Sequence, residues 1–180
     1  KLTEPDEKEG VYIAMACFIT AYARKLTIES GQRIQDDYHA GKSKNQVIYA
    51  DTDSWHVYSP ELEIPKGLTI HPTDLGAWDH EATASKGKFL RQKCYIEKHI
   101  ITENEYREAL EDEDVIRELY SVEDGNYYKL KVTVAGMPDS CYNLVNFDNF
   151  KLGASYPGKL KHSTVNGGVI LEEIDFTINP

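Results

Sequence analysis

Two apolar runs, Val47-Ile48-Tyr49 and Trp55-His56-Val57-Tyr58, flank the polar tetrad Asp51-Thr52-Asp53-Ser54. Runs of this length on either side of turn-forming residues predict two strands folding back as a β-hairpin. In an extended chain, residues two apart point to the same side, so a tight turn aims Asp51 and Asp53 at one place. Such a pair suits a divalent cation that also grips phosphate, because Mg²⁺ is commonly held by one or two carboxylates plus substrate phosphates. A second reading stays open at this point: Asp often serves turns by accepting from backbone N–H groups.

The 180 residues make one ordinary domain, or one domain with a small appendage. No apolar run approaches the roughly 18 residues of a membrane span, and no secretory leader is visible. Lys1, not a methionine, opens the sequence, which points to a piece of a longer protein. Cys17, Cys94 and Cys141 show no metal-ligand spacing, and an odd count fits a reducing, cytosolic setting. A net charge of −10 would repel a polyanion if it were evenly spread. It is not: ten acids and two bases lie between Glu103 and Asp124, whereas Lys86 to Lys93 holds four bases and no acid.

Periodicity and punctuation give the remaining elements. Lys1 to Gly10 reads as a loop. Val11 to about His39 reads as a helix, apolar on nearly every face of its first half and therefore expected to be buried; Gly41 stops it and Gly31 weakens its middle. Strands are expected over Gln46–Ala50 and Trp55–Ser59, and extended segments over Leu75–Thr83 and Lys88–His99, joined around Ser85-Lys86-Gly87. Thr102 with Glu105 forms a capping-box pattern opening a helix over Glu103–Tyr120. Tyr127–Ala135 alternates as a strand, and Gly136-Met137-Pro138 is the expected domain boundary. Asn146 caps a short turn bearing Phe147 and Phe150, closed by Gly153. A final hairpin, Lys159–Val165 and Val169–Ile178, turns at Asn166-Gly167-Gly168, with a bulge at Glu172-Glu173 to restore one apolar face.

Several motifs share one resemblance. Tyr49-Ala50-Asp51-Thr52-Asp53-Ser54 matches the Tyr-X-Asp-Thr-Asp-Ser motif of family B DNA polymerases. Phe18-Ile19-Thr20-Ala21-Tyr22-Ala23-Arg24 resembles that family's helix ahead of the aspartate hairpin, and Leu90-Arg91-Gln92-Lys93-Cys94-Tyr95-Ile96 resembles its Lys-X-Tyr motif. With Leu75-Gly76-Ala77-Trp78, His80-Glu81, Ala135-Gly136-Met137, Phe147-Asp148-Asn149-Phe150-Lys151, Gly167-Gly168-Val169 and Phe176-Thr177-Ile178, they resemble the C-terminal part of the protein-primed family B DNA polymerases of small tailed phages, the phi-twenty-nine-like group. The resemblance runs from about residue 10 to 178, and the acidic helix after Thr102 is its main departure.

The resemblance implies an α+β fold: an antiparallel palm sheet carrying the Asp-Thr-Asp hairpin, backed by the long helix, over residues 1–137, and a small β-rich thumb over 138–180. It implies Asp53 as principal metal ligand and Asp51 as its partner, holding two Mg²⁺ or Mn²⁺ ions with a deoxynucleoside triphosphate for two-metal nucleotidyl transfer. Lys93 and Tyr95 would hold the primer terminus, Thr52 and Ser54 would shape the turn, and Tyr49 would pack on the strand. Lys88 and Arg91, with Lys86, would contact DNA phosphate or merely solvate a strand. Implied partners are primer-template DNA, the triphosphate and, as an open possibility, a terminal priming protein meeting the acidic helix; the setting is the host cytoplasm. The motif-A aspartate, the finger helix and the exonuclease lie outside the sequence, so the chain alone is expected not to polymerise.

Two rivals remain. One is a binding remnant that grips primed DNA without chemistry; the other is an Asp-X-Asp glycosyltransferase, which gives Lys93 and Tyr95 no role. His80-Glu81 is no zinc motif, since Ala84 stands where a second histidine would be. His56 reads as a strand histidine and Tyr127-Tyr128 as sheet packing.

Overall fold

The computed structural model describes residues 12–165 and 167–179. The loop expected over Lys1–Gly10, the helix start at Val11 and Asn166 of the last turn lie outside them. The fold is α+β with antiparallel sheets, and the chain divides into two compact units, Lys1–His80 and Glu81–Pro180. No helix among the described residues is long and apolar enough to cross a membrane.

In the first unit, α1 (Ile13–His39) runs 27 residues, about 40 Å at 1.5 Å per residue. Thr20 and Thr27 fit within it because their hydroxyls donate to carbonyls three or four residues back, those of Ala16, Cys17 and Ala23. It ends as expected at Gly41, whose φ of +69° suits a residue without Cβ. Lys42 N–H donates to Asp37 O and Gly41 N–H to Tyr38 O, the paired bonds of a Schellman ending. After it come β1 (Gln46–Asp51) and β2 (Ser54–Tyr58), an antiparallel pair forming a two-stranded sheet of its own.

Burial of the helix's apolar first half is overturned. Tyr12, Ile13, Phe18, Ile19 and Tyr22 are 63–71% exposed, and the buried positions of α1 are Ser30, Gly31 and Ile34. A six-residue strand spans about 20 Å, so the hairpin backs only half of such a helix. The contact is close where it occurs. A Cβ on Gly31 would lie 2.3 Å from the Trp55 ring of β2, so the glycine is the groove into which the indole fits.

The second unit is built on a four-stranded sheet of order β3-β4-β6-β5, comprising β3 (Ala84–Arg91), β4 (Cys94–Ile101), β5 (Tyr120–Glu123) and β6 (Asn126–Val134). Two expectations fail here. The β3–β4 turn is Gln92-Lys93, not Ser85-Lys86-Gly87, and residues 75–83 form no strand. Gly87 lies inside β3 because the Phe89 ring packs over it, 2.9 Å from where a Cβ would stand. The acidic helix is also shorter than expected. α2 (Glu103–Glu111) starts on the Thr102–Glu105 capping box, but Asp112 leaves helical geometry and its carboxylate accepts from Asp114 N–H. An acid there opposes the negative helix end and offers the backbone a turn instead. The chain then passes through a 3₁₀ turn, Arg117–Leu119, into β5, of which only Tyr120 fell within the expected helix. Asp124-Gly125, both at positive φ, close the β5–β6 hairpin.

One face of this sheet carries the core: Cys94, Ile96 and Val134 pack with Met137, Cys141, Val145, Phe150, Tyr156, Phe176 and Ile178. Residues on both sides of Met137-Pro138 share it. Asn146 does cap a turn: its side-chain oxygen accepts from the backbone N–H groups of Asp148 and Asn149, both at 3.0 Å. The final hairpin pairs β7 (Ser155–Val165) with β8 (Gly168–Thr177). Its bulge lies on β7 at Pro157-Gly158, opposite Asp175, rather than at Glu172-Glu173, which pair regularly with Lys161 and Leu160. Pro157 has no N–H to give a ladder and Gly158 takes a φ of +110°, so the irregularity settles where it costs least.

Two outcomes follow. Gly31→Ala should lower the unfolding free energy of the first unit by about 1–3 kcal/mol through overpacking, read by denaturant titration of tryptophan fluorescence. Hydrogen bonds from Thr102 hold the Glu105 carboxyl below its ordinary value. The stabilisation tied to that depressed pKa is present above the ordinary carboxylate range and fades as pH falls through the lowered value. Thr102→Ala, which removes one of the two donors, should raise the Glu105 pKa in a carboxyl NMR titration and reduce α2 helicity at neutral pH.

Candidate functional site

The aspartate hairpin closes in the shortest way available to two antiparallel strands. Asp51 pairs with Ser54, leaving Thr52 and Asp53 as a two-residue loop, with Thr52 at φ +43°. The turn is held from within: Ser54 Oγ donates to Asp51 O, and Thr52 Oγ1 to Asp51 Oδ1, each at 3.1 Å. Asp51 is half-buried at the end of β1, and Asp53 is exposed at the tip. Both hydroxyls thus bond to Asp51 within the turn. Below the tip, Tyr49 and His56 pack edge to face with centroids 5.2 Å apart, and Trp55 seats the hairpin on Gly31.

The carboxylates of half-buried Asp51 and exposed Asp53 are hard oxygen donors. That donor set fits Mg²⁺ or Mn²⁺ better than zinc, which wants three or four protein ligands. Among the described residues, no three His, Cys, Asp or Glu side chains converge as a metal-holding group.

The other expected positions lie in the second unit, around the β3–β4 turn. Lys93 is exposed and sits at φ +52°, a left-handed conformation few side-chain-bearing residues adopt. Its carbonyl accepts from Ala135 N–H at 2.9 Å. Tyr95 is buried at 9% exposure, its ring stacked on Phe89 at 5.2 Å and 26°. Arg91 donates through Nε to Asn179 O at 3.1 Å and through a terminal nitrogen to Gln92 O at 3.3 Å. Lys88 Nζ donates to Phe147 O at 3.0 Å, and Lys86 lies 4.4 Å over the Phe147 ring. Burial raises the Cys94 thiol above its ordinary value, with Arg91 pulling the other way.

Of the residues expected to meet DNA, the structure places Lys93 at an exposed tip and Tyr95 in a buried ring stack. Lys88 and Arg91 are directed at backbone carbonyls far along the chain. Three supports were not read from the sequence: Gly31 under Trp55, Ala135 N–H on Lys93, and Asn179 O on Arg91. Only Gly31 left a trace, as an isolated glycine inside a helical pattern.

No protein-family model matches the chain. The DNA polymerase of Bacillus phage Nf is 37% identical to it over 179 residues, 99% of this chain and 28% of that protein. The DNA polymerase of Streptococcus phage Cp-1 is 32% identical over 178 residues, 99% of this chain and 25% of that protein. Among solved structures, phi29 DNA polymerase complexed with primer-template DNA and incoming nucleotide substrates aligns with a TM-score of 0.70 at 36% identity, covering 99% of this chain and 28% of that one. The chain thus spans little more than a quarter of the length of the relatives it matches. Sequence and fold together make it, along its entire length, a homologue of part of the phi29-like phage DNA polymerases.

Proposed function

We propose that this chain is the C-terminal palm and thumb portion of a DNA-directed DNA polymerase of family B, with residues 1–137 in the palm and 138–180 in the thumb. It would act in the host cytoplasm within a longer protein. The observation that carries the reading is the two-residue Thr52-Asp53 turn, which sets two hard-oxygen donors at one hairpin end in a chain 37% identical to DNA polymerases. The substrates are primer-template DNA and deoxynucleoside triphosphates, in keeping with a phi29 relative complexed with primer-template DNA and incoming nucleotide substrates.

Asp53 and Asp51 would hold Mg²⁺ or Mn²⁺ together with triphosphate oxygens. When bound, the ions supply activation of the primer 3′-hydroxyl and charge stabilisation on the departing pyrophosphate. The chain's own work is positional. Ser54 and Thr52 fix the Asp51 backbone and carboxylate, and Asp53 extends into solvent where a phosphate can approach. Lys93 places one cationic point charge against a primer phosphate, and the Tyr95 hydroxyl, aimed by the Phe89 stack, donates to the sugar-phosphate chain beside it.

Two measurements test this. In fluorescence anisotropy with a primed duplex, Lys93→Ala should bind about fivefold to tenfold more weakly, with a log–log salt slope shallower by about one. Tyr95→Phe keeps the ring stack and should weaken binding with the slope unchanged; wild-type affinity in both variants would sink the primer assignment. In NMR, millimolar Mn²⁺ should broaden the amides of residues 51–54 selectively, and Asp53→Asn should abolish this. Selective broadening separates a metal-binding palm from a remnant that only grips DNA.

A further inference from the structure

Arg91, a charged residue of the β3–β4 hairpin, makes contacts that reach far along the chain. Nε donates to Asn179 O, 88 residues away, while a terminal nitrogen donates to Gln92 O inside the turn. On the other side of the same turn, Ala135 N–H holds Lys93 O. Leu90 forms a bulge just before it, since Phe89 pairs with Tyr95 but Arg91 with Cys94. The turn therefore carries an extra residue on one strand, and it contains a lysine in the left-handed region. Backbone in that region persists only where its surroundings hold it there, and these three hydrogen bonds brace the turn.

We propose that Arg91 is a positioning residue: its guanidinium clamps the Gln92-Lys93 turn to the chain segment following β8, and so fixes where the Lys93 ammonium is presented, rather than contacting phosphate itself. This rests on the reading of Lys93 as a primer-phosphate contact. The chemistry favours arginine for the task. A planar fork of rigid N–H donors spans two carbonyls, whereas a lysine ammonium on a flexible stem is a single point. The segment after β8 thereby becomes part of the primer site without touching DNA.

A double-mutant cycle on primed-duplex binding tests the clamp, using Arg91→Ala, Arg91→Lys, Lys93→Ala and the two Arg91 changes combined with Lys93→Ala. Thermal melts accompany it, as does hydrogen exchange at the Ala135 amide. Arg91→Lys keeps the charge and loses the fork, so it should weaken binding about threefold to tenfold, as Arg91→Ala does, and speed exchange at Ala135. In the Lys93→Ala background both Arg91 changes should alter affinity by less than about twofold and leave the salt slope unmoved. Additive losses, with a slope shallower by about one in both backgrounds, would make Arg91 a direct phosphate contact and overturn the clamp. So would a lower melting temperature with binding and Ala135 exchange unchanged. Lys93→Ala binding as tightly as wild type would overturn the primer reading itself, and the Ala135 exchange would still report whether the turn is clamped.

Discussion

Eight consecutive pairs without a register shift, from Cys94↔Val134 to Ile101↔Tyr127, join β4 to β6. The second unit depends on this ladder. Because β4 is central, its first four residues are buried on both faces, and each face does separate work. Cys94 and Ile96 enter the core, where they meet the 3₁₀ segment Asp139–Leu144 and the closing strands. Tyr95 and Glu97 face the other way, Tyr95 onto Phe89 and Glu97 beside His99 at 3.3 Å. A one-residue slip would exchange the two faces, carrying Glu97 into the apolar core and Ile96 out of it. The acid is therefore as much a guarantor of register as the isoleucine is.

Both candidate sites are made the same way. Each is a two-residue hairpin loop holding one side-chain-bearing residue at positive φ, Thr52 in one unit and Lys93 in the other. Short loops of this kind are mechanically stiff because the residues flanking the pair on both sides, Asp51 with Ser54 and Arg91 with Cys94, are already paired in a ladder. They project a side chain from a fixed base, which is what positioning a reacting group demands. Neither loop uses glycine at its left-handed position. Side-chain and main-chain bonds from Ser54, Ala135 and Arg91 support the two turns instead.

How much could be read beforehand follows from the range of the forces involved. The Asp51–Asp53 hairpin, the Thr102 cap, the Gly41 stop and the Asn146 turn are local devices, and each lay where the residues placed it. The Gln92-Lys93 turn was hidden because neither residue is a usual turn former; it is held by partners at positions 135 and 179. β5 was hidden by the acidic run before it, which has helical composition but ends its helix at Asp112. The β7 bulge escaped notice because apolar parity pointed at Glu172-Glu173, whereas the missing N–H of Pro157 decided the matter. At the sites, residue type marked Asp51, Asp53 and Lys93, but nothing in the sequence shows that Arg91 and Lys88 reach for carbonyls.

The bare half of α1 has a consequence for how variation along this chain is judged. Tyr12, Ile13, Phe18, Ile19 and Tyr22 bury little against their own unit. Exchanging any of them for a polar residue removes little burial there, and stability assays on the isolated chain respond weakly to these positions. Tolerance to substitution would rank them with ordinary surface loops, although they are among the largest apolar side chains in the sequence. Such a ranking would describe the fragment's thermodynamics and miss the helix's chemistry.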